Sequence, residues 1–172
     1  MARFPLATVP ELGYQKGSGK RWFGASRDGG RNHAACDLIA KPGTPVYAVE
    51  SGTVLLVPKS AFFQNTYSVV IKHPNFIVRY AELDFERFVK EGDSVSEGQK
   101  IGTVGKNNKG KGMLHFEMYQ GTIGGNLSQP SNKKYLYVPE GNYKRRADLI
   151  DPTPYLDWWK LWTPLDNWMD GV

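Results

Sequence analysis

The sequence predicts a mainly β protein built on an antiparallel sheet, with a short helix near its C-terminus. The chain has 172 residues, including 19 glycines and 11 prolines, so turns are frequent. From Pro45 onward, short runs rich in β-branched and aromatic residues are separated by Gly, Pro, Asn or Asp, which is typical of antiparallel hairpins. The length fits one domain that buries a core.

The predicted strands are short and closely spaced. The pair "VVIKHPNFIVRY" is a hairpin that turns at His73-Pro74-Asn75. The other runs with strand character are "PVYAVESGTVLLV", "DSVSEGQKIGTVG" and "MLHFEMY".

The chain divides into a domain and its flanking segments. We expect an N-terminal arm at 1–22, because this stretch shows no sustained hydrophobic period, and a domain at 23–156. Within the domain, 120–147 is polar, Gly-rich and basic and predicts a long surface loop, of a length that is often functional. A Trp-rich tail at 157–172 is expected to pack on the domain.

The segment "DPTPYLDWWKLW" predicts the helix. Asp151 can cap it and Pro152 fits its first turn. An aromatic stripe packed on the sheet is one interpretation, and a face that binds a partner or the cell wall is the other. The aromatic residues on overlapping helical positions are Tyr155, Trp158, Trp159 and Trp162.

The formal charge of +5 and the pI of about 9.2 predict attraction to polyanions such as nucleic acid, membrane surfaces or acidic wall polymers. No Lys/Arg tract is interleaved with aromatics, so a nucleic-acid partner is not expected. The single cysteine, Cys36, excludes an internal disulfide.

The sequence predicts neither a membrane span nor a secretory signal peptide. No run of 18 apolar residues predicts a membrane span, and the first residues do not resemble a secretory signal peptide. We therefore expect a chain made in the cytoplasm that reaches a wall or periplasmic target after lysis, injection or specialised secretion.

Two of the three histidines are candidate metal ligands. On a straight strand His33 and Asp37 would lie about 13 Å apart, so shared ligation requires a bend near His33. In "MLHFEMY", alternation places His115 and Glu117 on one face. Two histidines and a carboxylate are typical of catalytic zinc, although a single histidine is more often a satisfied polar group. Cys36 alternates away from Asp37 and is expected in the core.

Three stretches carry a resemblance to a known family. "FGASRDGGRNHAACDLIAKPGTPVYAVESGTV" resembles its first motif, "VKEGDSVSEGQKIGTVG" is similar to the hairpin before its second motif, and "LHFE" resembles the end of that motif. The family is that of the lysostaphin-type, or LytM-like, zinc peptidases, which cut peptide cross-links of bacterial peptidoglycan. The resemblance implies a groove of antiparallel strands, of the duplicated-hybrid-motif type, over Zn²⁺ held by His33, Asp37 and His115.

The sequence departs from the family at two positions. Met113 stands where the family has the first histidine of His-x-His, and Glu82 stands in "YAEL" where the family usually has Tyr-x-His-Leu. We predict Glu82 as the general base, with an exposed or salt-bridged glutamate as the alternative. Strict alternation places Glu82 on the same face as Tyr80 and Val78, a face that would point into the groove if the strand lies as the resemblance implies. Met113 is expected to line a substrate pocket.

The remaining site residues are assigned by chemistry. Arg27, Arg31 or Tyr119 would stabilise an oxyanion or contact substrate, with a surface arginine or a packed tyrosine as the alternative. Glu117 would orient a metal ligand. His73, at the hairpin turn, is expected to be structural.

The sequence therefore predicts a zinc-dependent endopeptidase acting on cross-links or stem peptides of peptidoglycan. It would suit a phage enzyme for lysis or host penetration, or an injected antibacterial toxin, with an inhibitor, immunity protein or delivery device as further partners. Basic residues in 106–111 and 133–146 would hold the acidic wall. The alternatives are a non-catalytic zinc-binding or wall-binding module, and a structural part of a phage particle or secretion device that assembles through the Trp-rich tail.

Overall fold

A computed structural model describes residues 2–128 and 141–164. The predicted mainly β fold with one short helix is confirmed. A 3-10 turn covers Asp28–Gly30. The strands are β1 Ser26–Arg27, β2 Arg31–Asn32, β3 Cys36–Ile39, β4 Pro45–Tyr47, β5 Gly52–Leu56, β6 Tyr67–Lys72, β7 Ile77–Leu83, β8 Ser94–Val95, β9 Lys100–Thr103, β10 Met113–Tyr119 and β11 Leu149–Ile150, and the helix is α1 Thr153–Trp162.

One antiparallel sheet organises the domain. Its strand order is β11-β10-β7-β6-β5-β8, and β3 pairs with β10 on the same side as β11. The small pairs β1–β2 and β4–β9 complete the β structure of the described residues. The predicted β6–β7 hairpin is confirmed, and the His73 N–H donates to the Phe76 carbonyl at 2.8 Å.

The side chains of β10 alternate between the core and the opposite face of the sheet, which we call the functional face. Leu114, Phe116 and Met118 are fully buried in the core, as their alternation predicts. His115 and Glu117 point to the opposite face. This face carries the polar side chains described in the next subsection.

A bulge in β7 changes the direction of Glu82. Leu83 pairs with Tyr67 and Ala81 pairs with Ser68, so Glu82 is an extra residue between two consecutive pairs, and its φ is 62°. The predicted common face with Tyr80 and Val78 is therefore wrong, because both of those side chains are fully buried in the core. Without the bulge, alternation would bury the Glu82 carboxylate among them.

His73 has the structural role predicted for it. Its Nδ1 donates to the Ser51 carbonyl at 3.1 Å, and its Nε2 accepts from the Tyr80 hydroxyl at 3.1 Å. The same hydroxyl accepts from the Val49 N–H at 3.0 Å. Burial lowers the pKa of His73 to about 4, so the ring stays neutral in this network.

The N-terminal arm lies against the domain. Phe4 and Leu6 are fully buried, and the Phe4 N–H donates to Thr163 Oγ1 at 2.8 Å. The predicted loop 120–147 is described at both ends, and 129–140 lie outside the described residues.

In helix α1, the residues of the predicted aromatic stripe do not all face the core. Its start is capped as expected, since Asp151 Oδ1 accepts from the Thr153 N–H at 2.8 Å. Trp159 is buried and its ring packs against Phe76 and Phe116. Trp158 is 57% exposed and Trp162 is 60% exposed. The helix thus packs on the sheet through one side only. The tail beyond 164 lies outside the described residues.

Two further sequence predictions concern Cys36 and the membrane. Cys36 is a free, fully buried thiol in the core, as its alternation with Asp37 predicts. Within the described ranges, no helix combines the length and apolar character needed to span a bilayer.

Because Trp159 is buried and Trp158 is exposed, we predict that their substitution has different effects on stability. Trp159→Ala removes a buried ring from the core and should lower the free energy of unfolding by about 3–5 kcal/mol. Trp158→Ala, one residue earlier, should change it by no more than about 0.5 kcal/mol because the ring is exposed. Urea unfolding of both variants measures the difference, and equal losses would contradict this packing.

Candidate metal centre

His33 and Asp37 meet because the chain bends between them. Strand β2 ends at Asn32 and β3 begins at Cys36, which leaves His33 just before the bend. The His33 N–H donates to the Ala25 carbonyl at 2.8 Å, and His33 Nε2 lies 3.1 Å from Asp37 Oδ1. The predicted bend is therefore present.

His115 joins this pair through the register of β3 and β10, in which it lies directly opposite Asp37. Its Nδ1 is 2.9 Å from Asp37 Oδ1 and 3.4 Å from His33 Nε2. All three residues are buried, and one ligand atom from each lies within 4.8 Å of the others. The structure thus brings the three predicted ligands together.

The hydrogen bonds made by each ring orient the free nitrogen towards Asp37. His33 Nδ1 donates to the Trp22 carbonyl at 3.0 Å, which leaves Nε2 for a metal. His115 Nε2 donates to Glu117 Oε1 at 2.9 Å, which leaves Nδ1. Two imidazole nitrogens and one carboxylate oxygen fit the donor set of a catalytic zinc site. Each ring is also oriented by the hydrogen bond that its other nitrogen makes.

The protonation states agree with a cation site. Burial raises the pKa of Asp37, but the hydrogen bonds from His115 and His33 outweigh it and hold that pKa well below its usual range. Burial lowers the pKa of His33. Burial also lowers that of His115, yet Asp37 and Glu117 together raise it to about 9, so a metal ion bound there would replace a proton.

The Glu117 carboxylate accepts hydrogen bonds from four side chains. Oε1 accepts from His115 and from Arg145 Nε at 2.9 Å, and Oε2 accepts from the Tyr119 hydroxyl at 2.6 Å and from Arg79 Nη1 at 3.1 Å. The carboxylate is fully buried. Burial raises its pKa, but Arg79 and Arg145 outweigh this and hold the pKa well below the usual range. Glu117 thus stays ionised and holds the His115 ring through a hydrogen bond, while its role in orienting a metal ligand stays a prediction.

Three of these positions differ from the sequence prediction or were missed by it. Tyr119 is fully buried behind Glu117 and does not line the cavity, so the structure agrees with the packed tyrosine given as the alternative and not with a contact to substrate or an oxyanion. Arg79 was not assigned a role, although it lies opposite Glu117 in the β7–β10 register. Arg145, predicted among wall-binding residues, has its guanidinium on Glu117.

A cavity of about 720 Å³ opens over the three ligands. Arg27, Arg31 and Met113 line it, and their contact with substrate stays a prediction. Arg27 Nη2 donates to Asp37 Oδ2 at 2.9 Å. Phe62, which sequence reasoning missed, lies with its ring centre 5.2 Å from that of His115.

Glu82 also lines this cavity, because the bulge turns it there. It is 8% exposed, and no hydrogen bond or ion pair from the described residues engages its carboxylate. Burial raises its pKa to about 7, with a contribution from Asp37, while His115 and Arg27 act in the opposite direction. Glu82 is therefore buried and has no salt bridge to any residue in 2–128 or 141–164, and its pKa suits proton transfer near neutral pH.

The three histidines should respond differently to substitution. His33→Ala removes a ligand and should abolish stoichiometric zinc binding, as should His115→Ala. His73→Gln, the matched control, should keep one zinc per chain but lower the free energy of unfolding by about 1–3 kcal/mol through its broken buried hydrogen bonds. Zinc content after dialysis and thermal melts measure both effects. Retention of zinc by His33→Ala would contradict the assignment.

Comparison with known proteins places the chain in a family. The sequence model of Peptidase family M23 matches residues 31–130, more than half of the chain. The peptidoglycan DD-endopeptidase ShyC of Vibrio cholerae is 40% identical over 88 residues, which cover 49% of this chain and 19% of that protein. The chain thus spans about a fifth of the length of this curated relative.

Solved structures show the same fold. A zinc-containing peptidase from Vibrio cholerae superposes with a TM-score of 0.50 at 28% identity, covering 68% of this chain and 37% of the other. The catalytic domain of lysostaphin from Staphylococcus simulans superposes with a TM-score of 0.57 at 24% identity, covering 84% and 92%. Together with the family match, these likenesses show that the chain is a lysostaphin-like member of peptidase family M23.

Proposed function

We propose that this chain is a zinc-dependent endopeptidase that cuts peptide cross-links or stem peptides of bacterial peptidoglycan. The observation that carries the proposal is the buried carboxylate of Glu82, which has no partner among the described residues and shares a cavity with His33, Asp37 and His115. The activity in the name of the Vibrio cholerae relative, a peptidoglycan DD-endopeptidase, supports the substrate class.

The donor set supports zinc as the metal. His33 Nε2, Asp37 Oδ1 and His115 Nδ1 are the atoms that would hold it, and three protein ligands leave a position open for substrate or water. When bound, zinc supplies Lewis acidity, which polarises the scissile amide and lowers the pKa of water towards about 7.

Glu82 would carry out the proton transfers. Its carboxylate accepts a proton from the attacking water and returns it to the departing amine. A pKa of about 7 suits both directions near neutral pH. The bulge holds this side chain at a fixed place in the sheet, so the base needs no rearrangement to reach the cavity.

The neighbouring residues would keep the ligands in place. Arg27 holds Asp37 Oδ2, which directs Oδ1 towards the two histidines. Glu117 fixes the His115 ring from behind. Met113 has no group that transfers protons, so Glu82 would perform both proton steps.

Basic residues beside the cavity support attraction to the wall. Lys106, Lys109 and Lys111 are exposed, and Asn107 within the same segment lines the cavity. Their charge would draw an acidic polymer towards the site. The corresponding prediction for 133–140 lies outside the described residues.

The direct test is digestion of purified peptidoglycan by the zinc-loaded protein, followed by mass analysis of the released fragments. We expect fragments that differ from the substrate by hydrolysis of a peptide bond, and we expect a chelator to prevent their release. The second candidate is a non-catalytic zinc module, which Met113 favours because the family's histidine is absent there. Tight zinc and wall binding without any released fragment would establish that alternative.

The base assignment predicts a large kinetic effect. Glu82→Gln keeps the shape of the side chain but removes the proton acceptor, so kcat should fall about 100- to 10,000-fold. Zinc content should not change, because Glu82 is not one of the three ligands. Glu86→Gln, at an exposed position on the same chain segment, is the matched control and should retain full activity. Normal turnover by Glu82→Gln would refute the role.

The same assignment predicts the pH profile. Only the carboxylate form of Glu82 accepts a proton, so activity should fall as the pH drops through about 7, the pKa that burial gives this group. A cation bound nearby lowers that pKa and would move the acid limb to a lower pH. The residual activity of Glu82→Gln should lack this limb. An identical limb in both proteins would show that another group titrates.

A further inference from the structure

Two arginines face each other on one wall of the cavity. Arg27 of β1 and Arg31 of β2 are direct partners in the antiparallel register, and both line the cavity. Directly opposite residues project from the same face, and like charges in that arrangement repel each other. The hairpin register therefore places two like-charged side chains next to each other on one face.

The described residues only partly balance this charge. Arg27 donates through Nη2 to Asp37, and none of its other N–H groups has a hydrogen-bond partner in the described ranges. Arg31 is exposed and makes no hydrogen bond or ion pair within those ranges. Asp28, between them, is fully exposed and lies 3.9 Å from Lys20. The wall keeps an excess of unpaired guanidinium donors.

Another part of the cavity is mainly apolar. The connection between β5 and β6 supplies Pro58, Ala61, Phe62 and Phe63 to the cavity. In the sheet, β3 pairs with β10 on one side, whereas β6 and β5 lie on the other side, beyond β7. The candidate ligands thus share one cavity with the two arginines of the β1–β2 hairpin and with these apolar residues, and Arg79 Cζ lies 5.6 Å from the centre of the Phe62 ring.

We propose that Arg27 and Arg31 form a subsite for a free carboxylate of the substrate next to the scissile amide. The inference rests on the proposed function and names the kind of peptide that the site selects. Guanidinium groups bind carboxylates through paired N–H donors, and a bound carboxylate would relieve the repulsion within the hairpin. The wall around Phe62 would receive a short apolar side chain on the other side of the amide.

The subsite predicts a preference that depends on Arg31. Two cross-linked stem-peptide dimers serve as probes, one with free carboxylates and one with the same groups converted to carboxamides. We expect kcat/KM of the zinc-loaded protein to be about tenfold or more higher for the free carboxylates, since a carboxamide loses the charge-assisted hydrogen bonds. Arg31→Gln should bring the ratio of the two kcat/KM values close to one, and Arg31→Lys should restore part of it.

The control is Lys41→Gln, which removes one positive charge at an exposed position that does not line the cavity and should keep the full ratio. Zinc content is measured for every variant, so that loss of metal is not mistaken for loss of the subsite. Equal kcat/KM for both dimers in the wild-type protein would overturn the subsite and leave the peptidase intact. Cleavage of neither dimer by the zinc-loaded protein would instead overturn the proposed function.

Discussion

The antiparallel register that pairs Asp37 on β3 with His115 on β10 is the constraint on which the site depends. It places one carboxylate oxygen 2.9 Å from His115 and, because the chain bends before β3, 3.1 Å from His33. A shift of one residue would turn Asp37 into the core and bring Cys36 to the functional face. The fully buried Leu38 opposes such a shift, since the shift would carry its side chain out of the core. The core thus fixes the metal site.

A second constraint acts through an irregularity in the same sheet. The bulge in β7 takes Glu82 out of the core alternation and directs it to the cavity, at a backbone conformation that non-glycine residues seldom adopt. Burial at this place raises the pKa of Glu82, so the bulge determines both where the carboxylate lies and how readily it binds a proton. Glu117 has the opposite electrostatics, because Arg79 and Arg145 keep it ionised. Two buried carboxylates therefore serve different purposes on neighbouring strands.

The sequence predicts the β6–β7 hairpin well because that element depends on local patterns. The ligands His33, Asp37 and His115 were also predictable, since their spacing matches a known motif and the required bend follows from strand geometry. The face of Glu82 was not predictable, because a bulge depends on how β7 pairs with β6. The same holds for Arg145, whose bond to Glu117 joins positions 28 residues apart. The predicted route of the chain to the wall stays a prediction.

The proposed peptidase mechanism requires that a metal and the Glu82 carboxylate lie in the same cavity. A crystal structure of the zinc-loaded protein, with anomalous data collected at the zinc absorption edge, measures both. We expect one anomalous peak bound by His33 Nε2, Asp37 Oδ1 and His115 Nδ1, with Glu82 directed into the same cavity. A peak elsewhere, or a Glu82 side chain buried beside Tyr80, would contradict the account.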